Sequence, residues 1–442
     1  MSHRRKSVPA EPVTLEVTHL AHDGRGIARL NDKIIFIFGA LPGETVRAKY
    51  THSYNRFDEA TTVEVIKAAP TRVVPDCAHF GVCGGCQLQH LAPLEQVAHK
   101  QALLQEQLMH HKIVPKEWLE PLVSRSTGYR QKARLGVKYV FKKEALLIGF
   151  REQKNNKITL TENCHVLDAR IGFTIQELRV LIAGLQARED IPQIEVAVGM
   201  EVALVFRHLK PLCSADKAAL IAFAQAKEFS LYLQPQGPDS VHKIWPLLGS
   251  EYLSYRLSDQ NLVYQFHPLD FIQVNQEMNQ KMINAALALL NPGPEDSILD
   301  LFCGLGNFSL PMAQKAHHVT GVEGSAQMVL RSLHNAKQNQ LQNVAFYDCD
   351  LSGDFTKAPW AQKSYAKIIL DPPRCGAEEV VEKISSFKAK EILYISCNPA
   401  TFVRDSAILV HQKGYSLVKV GIMDMFPHTA HVETIGLFQK EA

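Results

Sequence analysis

Ser297-Ile-Leu-Asp-Leu-Phe302-Cys-Gly304-Leu-Gly306-Asn-Phe308 is the stretch that decides how this chain folds. An apolar run reaches an aspartate, passes through a glycine-rich turn and opens onto a helical pattern, so a strand delivers its carboxyl end to backbone N–H groups that a ligand can approach closely. About twenty residues later Glu323 closes the next apolar run, His318-Val-Thr-Gly-Val322, where a carboxylate accepts hydrogen bonds from both ribose hydroxyls of a nucleoside. Ser309 stands where a third glycine of the G-x-G-x-x-G pattern would fall, which disfavours a pyrophosphate.

Working outward, Val344-Ala-Phe-Tyr347, Lys367-Ile-Ile-Leu370 and Glu391-Ile-Leu-Tyr-Ile395 repeat the strand pattern, each separated from the next by a helical stretch. From about Leu262 the chain is therefore α/β, a mainly parallel sheet with helices on both faces and its ligands beyond the carboxyl ends of the strands. The glycine turn and Glu323 together are similar to the methyl-donor site of a class I Rossmann-like methyltransferase domain. Asp371-Pro372-Pro373-Arg374 ends the fourth strand, and its prolines remove two donors and stiffen the turn. Amino-group methyltransferases place an aromatic after such a turn, and Arg374 stands there instead.

Ser396-Cys397-Asn398-Pro399 ends the fifth strand and brings a thiol into a tight turn beside Asp371. Carbon 5 of uracil is too weak a nucleophile to attack a methyl sulfonium, but a thiolate adding to carbon 6 turns the ring into an enolate that can. A base must then remove the carbon-5 proton before the thiol leaves, and Glu433, in Phe426-Pro-His-Thr-Ala-His431-Val-Glu433-Thr, is the candidate.

The 442 residues exceed one ordinary core, so two or three domains are expected. Nothing in the chain reads as a membrane span or, after the basic Met1 to Lys6, as a signal peptide, so the expected location is the cytoplasm. In such a compartment nine cysteines do not make a disulfide framework. Cys77, Cys83 and Cys86, with Gly84 and Gly85 between the last two, combine with the distant Cys164 into a set that suits zinc or an iron-sulfur cluster equally. His79 and His165 read as neighbours, and Cys213, Cys303, Cys349 and Cys375 as buried or incidental thiols.

A net charge of +3 says little, but its distribution says more. Between Pro121 and Lys157 ten basic residues face two acidic ones, interleaved with aromatics, a composition suited to nucleic acid. Arg125, Arg130, Lys132 and Arg134 are the expected phosphate contacts. Up to about Lys67, four or five short alternating strands punctuated by Gly24 to Gly26 and Gly39 to Gly43 predict a small barrel of the oligonucleotide-binding (OB-like) kind. Gln87 to Ile113 reads as helix. The expected domains are 1–68, a β-barrel; 69–260, an α+β middle domain with the cysteines and the basic stretch; and 261–442, the catalytic domain.

His22-Asp-Gly-Arg-Gly-Ile-Ala28 and Leu41-Pro-Gly-Glu44 resemble the TRAM domain, an RNA-binding barrel. Taken with Phe271-Ile-Gln-Val-Asn275, Asn279-Gln-Lys-Met282, the turns above and Met423-Asp-Met-Phe-Pro-His428, nearly the whole chain resembles the bacterial RNA uracil-5 methyltransferases, in the branch acting on large-subunit ribosomal RNA. The resemblance implies S-adenosylmethionine bound by Gln273, Phe302, Asn307, Glu323, Asp350 and Asp371, with Asp348 an equal alternative to Asp350. It implies Cys397 as nucleophile, Glu433 as base, and a [4Fe-4S] cluster on Cys77, Cys83, Cys86 and Cys164. Members of the family directed at tRNA typically lack barrel and cluster, so the implied partner is 23S rRNA before or during large-subunit assembly, met by a monomer. A tRNA substrate, an amino-directed RNA methyltransferase and a non-catalytic RNA-binding factor are the rival readings.

Overall fold

The computed structural model describes residues 8–9 and 11–440, so the basic stretch Met1 to Lys6 lies outside the described residues. Its largest sheet has eight strands: β1 (Glu117–Trp118), β2 (Ser297–Leu301), β3 (His318–Glu323), β4 (Val344–Asp348), β5 (Lys367–Leu370), β6 (Glu391–Ser396), β7 (Tyr415–Met423) and β8 (Glu433–Lys440). In space they run β4-β3-β2-β5-β6-β8-β7-β1. The five from β2 to β6 are mutually parallel, and β8 lies antiparallel between β6 and β7.

Side chains alternate between the faces of a strand, and here they divide into two apolar layers. Ile298, Ile369, Leu393 and Ile395 pack on one face with Met282, Ile283 and Leu290 of the helix Gln276–Leu290. Leu299, Leu301, Ile368, Leu370, Ile392 and Tyr394 pack on the other, with Phe402 and Leu409 of the helix Pro399–His411 and with Val97, Leu104 and Leu108 of α1 (Pro93–His110). Thus α1, far earlier in the sequence than Ser297, covers this sheet, and β1 extends its edge beside β7. The helix expected from Gln87 starts only at Pro93, because a proline has no N–H to bond back into a preceding turn and holds Ala92 extended, at ψ 140°; the N–H groups of Gln87 and Leu88 go to the carbonyl of His428.

The amino-terminal unit is a six-stranded sheet between Val13 and Lys67 curled round its own core of Leu15, Ala28, Ile35, Ile37, Val46 and Ala60, one strand or two more than the sequence pattern suggests. A second six-stranded sheet, from Lys132–Val140 to His242–Trp245, carries the helices Ile175–Ala183 and Ser214–Lys227 over a separate core. The hairpin Leu253–Leu257 and Leu262–Phe266 packs into the first layer of the catalytic unit, with the rings of Tyr255 and Tyr264 stacked at 4.9 Å. No described helix is long and apolar enough to cross a membrane.

Phe402 is fully buried between Tyr394 and Phe438, over Gly436, where an added Cβ would come within 2.7 Å of its ring. Phe402→Ala is expected to cost about 3–5 kcal/mol through the cavity it leaves. Chemical denaturation measures this, and a loss below about 1 kcal/mol would contradict the packing of this layer.

Candidate active site

Parallel strands end on the same rim, so the residues that close β2, β3, β5 and β6 face one another across the top of the sheet. There they enclose a cavity of about 850 Å³. Gln273, Phe302, Asn307, Glu323, Asp350, Asp371, Cys397 and Glu433 all line it; Asp348 does not.

In one half the turn after β2 is held in an unusual backbone state. Gly304 and Gly306 have φ of +54° and +82°, and between β2 and Gly304 Phe302, a non-glycine, sits at +63°. Such left-handed residues persist only where the surroundings impose them. Glu323 helps to impose the turn, since its two oxygens each accept one backbone N–H, from Gly304 and Ser325, both at 3.1 Å. Asn307 exchanges reciprocal amide hydrogen bonds with Asn279 at 2.8 and 3.0 Å and accepts the Tyr255 hydroxyl at 3.3 Å. Asn275 caps the helix that carries Asn279 and donates to the carbonyl of Met425, so the Phe271–Asn275 segment and the loop before Glu433 are tied together. Asp350 is exposed at the rim, where the Ser352 N–H and hydroxyl hold its carboxyl below the usual range.

Asp300 also belongs here, although the motif reading gave it no role. It is fully buried, accepts the Ser309 hydroxyl at 2.5 Å through one oxygen and leaves the other unpaired. Burial, with Asp371 and Glu323 nearby, pushes its carboxyl up to about 7.

The other half of the cavity holds Cys397, Glu433 and Asp371. Ser396, the last residue of β6, pairs with Thr434 of β8, which places Cys397 and Glu433 side by side at the rim. Asn398 follows as the cap of the helix Pro399–His411, and its amide donates to the Arg374 carbonyl at 3.0 Å, fastening the cysteine turn to the Asp371–Arg374 turn. Glu433 is 7% exposed, and burial plus the charge of Asp371 raises its carboxyl to about 8, against the opposing pull of Arg374 and Lys100. Burial alone raises Asp371 to about 7. The Cys397 thiol is raised to about 11 by burial and then by Glu433 and Asp371, with Arg374 opposing. Negative charge on any of the three groups thus disfavours it on the others.

Arg374, His431 and Phe426 complete this half. Arg374 Nη2 lies 3.3 Å from each His431 ring nitrogen, and burial with that neighbouring cation lowers the imidazole to about 4. Three of the four thiols read as buried or incidental, Cys303, Cys349 and Cys375, line the cavity; Cys213 instead caps the helix Ser214–Lys227.

Cys77, Cys83, Cys86 and Cys164 surround a second cavity of about 230 Å³ together with His79, His165, Arg130 and His431. Burial raises Cys83 to about 11 and Cys86 to about 12, while the Gly85 N–H donates to the Cys83 sulfur at 3.4 Å. Among the described residues no three His, Cys, Asp or Glu side chains converge on a single ion.

The four basic residues expected at phosphate differ in their surroundings. Arg125 and Arg134 are exposed, the latter paired with Glu195, while Arg130 lines the cysteine cavity and donates to the Lys132 carbonyl at 3.0 Å. The Lys132 ammonium donates to the Asp270 carbonyl, and burial lowers it to about 8. Sequence alone could not separate Arg134 from Lys132, since the two lie on the same face of one strand; the Asp270 carbonyl that holds Lys132 comes from a segment far along the chain. Farther along the same basic stretch, Lys154 reaches the barrel and lies 4.9 Å from the Phe38 ring.

A parallel sheet with a nucleoside-sized cavity over its carboxyl edge and an antiparallel strand beside the last parallel one defines a class I methyltransferase. The model of the tRNA (Uracil-5-)-methyltransferase family matches residues 93–441, and that of the TRAM domain residues 10–63. The chain is 48% identical over 446 residues to the 23S rRNA (uracil(1939)-C(5))-methyltransferase RlmD of Hahella chejuensis, covering 100% of both chains. It is 49% identical to the protein of the same description from Alcanivorax borkumensis, over 100% of this chain and 99% of that one. The Pyrococcus abyssi tRNA (uracil-54, C5)-methyltransferase in complex with S-adenosyl-L-homocysteine shares the fold, with a TM-score of 0.73 and 23% identity over 96% of this chain and 100% of that one. The chain belongs to the tRNA (uracil-5-)-methyltransferase family.

The raised Glu433 carboxyl has a consequence for stability. Its folded value of about 8 exceeds its ordinary 4.5, so the native state holds the proton more tightly; the stability this gives is complete below about pH 4.5 and is lost as pH rises through about 8. Glu433→Gln is expected to flatten that fall and to melt higher than the parent above about pH 8. Melting curves across this range that stay parallel for the two proteins would contradict it.

Proposed function

We propose that this chain transfers a methyl group from S-adenosylmethionine to carbon 5 of a specific uridine in 23S rRNA, through a transient bond between Cys397 Sγ and carbon 6, with Glu433 removing the carbon-5 proton. The observation that carries the proposal is the sharing of one cavity by Cys397, Glu433 and Asp371 with the glycine turn and Glu323. The cavity volume suits a nucleoside ligand, and each Glu323 oxygen, having taken one backbone N–H, keeps a lone pair for a ribose hydroxyl. Gln273, Phe302, Asn307, Glu323, Asp350 and Asp371 would hold the donor, which supplies an electrophilic methyl group.

The coupled groups give the protein's part an order. Cys397 loses its proton to water while Glu433 is still protonated, since the two do not readily ionise together, and Arg374 favours the thiolate. Once sulfur is bonded to carbon 6 its charge passes into the ring as an enolate, which is discharged when carbon 5 takes the methyl group; the repulsion that kept the proton on Glu433 then falls, and Glu433 releases that proton to water. The carboxylate then takes the carbon-5 proton of the methylated ring, and the thiolate is expelled. The uridine enters flipped out of its stack, at a cost of about a few kcal/mol, because no stacked base reaches a thiol at the rim of this cavity.

The second cavity fits a [4Fe-4S] cluster: four thiols surround it, and a backbone N–H already donates to one of the sulfurs. Cys77, Cys83, Cys86 and Cys164 would hold it. The barrel, the exposed Arg125 and Arg134, and Arg130 at the cysteine cavity grip the RNA; the protein acts as a cytoplasmic monomer on rRNA before or during subunit assembly.

Incubation with labelled donor and rRNA from cells lacking this protein is expected to place one methyl group on carbon 5 of one uridine, with Cys397→Ala at least about a thousandfold slower. Full activity in that variant would exclude the thiol mechanism, and a label found in tRNA alone would redirect the substrate. Anaerobically purified protein should be brown and carry iron and sulfide, whereas a colourless protein with stoichiometric zinc would overturn the cluster. RNA affinity should fall steeply with salt, less so in an Arg125→Ala, Arg134→Ala double variant.

A further inference from the structure

We propose that Lys100 is a positioning residue of the reaction: from a helix outside the catalytic stretch it fixes the turn leading into Glu433 and supplies the buried positive charge that makes Glu433 usable as a base. The inference rests on the reading of Glu433 given above.

Lys100 is fully buried on α1, with its ammonium 2.6 Å from Asp424 Oδ1 and 3.2 Å from the Phe426 carbonyl. One helical turn earlier, Gln96 lies on the same face. Its side-chain oxygen accepts the His428 N–H at 2.9 Å, and its amide nitrogen lies 3.3 Å from the His428 ring. Both ends of the Asp424–His428 turn are therefore held by α1. His428 itself has φ of +67°, a conformation that a non-glycine keeps only under such constraint. Five residues further along the chain lies Glu433.

The groups bearing on Glu433 are Asp371 and Arg374 from the end of β5 and its turn, Cys397 from the end of β6, and Lys100 from α1. Asp371 favours the protonated carboxyl; Arg374 and Lys100 favour the carboxylate. The side chain of Lys100 is inaccessible to water, so screening weakens its field little. A buried ion pair is weak evidence of stabilisation in its own right, since an apolar pair of similar volume serves a core as well. Beside a base that must ionise during turnover, the ammonium has a use that no apolar side chain could supply.

The test measures release of tritium from carbon 5 of [5-³H]uridine-labelled rRNA, with turnover followed across pH. Removing one partner alone leaves a buried charge, so the variant is the Lys100→Met, Asp424→Leu double, which removes the pair as a unit. Asp424 leaves with the cation, but of the two it is Lys100 whose charge bears on Glu433, so Glu433 holds its proton more tightly; the acidic limb of turnover should move up by at most about one pH unit and turnover near pH 7 should fall severalfold. KM for the methyl donor should not change. Lys100→Arg, which keeps the charge, should restore the limb. Gln96→Leu, which loosens the turn without touching a charge, should lower turnover and leave the limb in place. A double variant whose pH profile overlays the parent overturns the electrostatic role, as does a Lys100→Arg limb displaced as far as that of the double. If the double variant does not fold, parent-like turnover in Gln96→Leu overturns the positioning role and a displaced Lys100→Arg limb the electrostatic one. Absence of tritium release from the parent protein would instead remove the reading of Glu433 on which the inference stands.

Discussion

The pairing of Ser396 with Thr434 is the constraint on which the site depends. Parallel strands all end on one rim, so none of them can begin there; an antiparallel strand beside β6 begins where β6 stops. Glu433 at the first position of β8 is thereby set next to Cys397, just past the last position of β6. Side chains alternate with a period of two, and a slip of one residue would send Glu433 to the opposite face of the sheet. The packing of Leu393 and Ile395 in one layer and Ile392 and Tyr394 in the other, with Ile435 and Leu437 of β8 in the first, fixes that register from both sides.

The same arrangement concentrates groups that resist ionising together. Asp300, Asp371, Glu433 and Cys397 all have their protons held more tightly by burial, and three of them line one cavity. A site of this kind stores protons and releases them as charge elsewhere in it changes, which suits a reaction in which a sulfur gains and later loses a bond. The surrounding hydrogen bonds, from Asn398 to the Arg374 turn and from Asn275 to Met425, hold the two halves of the cavity in place while those protons move.

Much of the catalytic half was legible because its signals are local. The five parallel strands from Ser297 to Ser396, the glycine turn and the cysteine at a strand end are each contained in a few consecutive residues. That Gln273 and Asn307 would lie at the cavity was legible only through the resemblance, for a glutamine and an asparagine in isolation carry no chemical signal. Strands β7 and β8 were not read, and the reversed direction of β8, which sets Glu433 at the rim, is something periodicity does not report. Lys100 was invisible for a different reason: one charge in a helical pattern reads as a solvated face, and only the fold reveals that α1 lies against the catalytic sheet. The side chains of Cys349 and Cys375 look incidental in sequence because they lack paired spacing, yet the turns after β4 and β5 bring both to the cavity.

The most direct measurement is mass spectrometry of the protein after reaction with rRNA containing 5-fluorouridine and the methyl donor. Fluorine at carbon 5 cannot leave as a proton does, so the covalent species accumulates if the account is right. Digestion should then yield one crosslinked peptide, carrying Cys397 bonded to a methylated fluorouridine. A stable complex with no bond at Cys397, or methyl transfer with no covalent complex at all, would contradict the account.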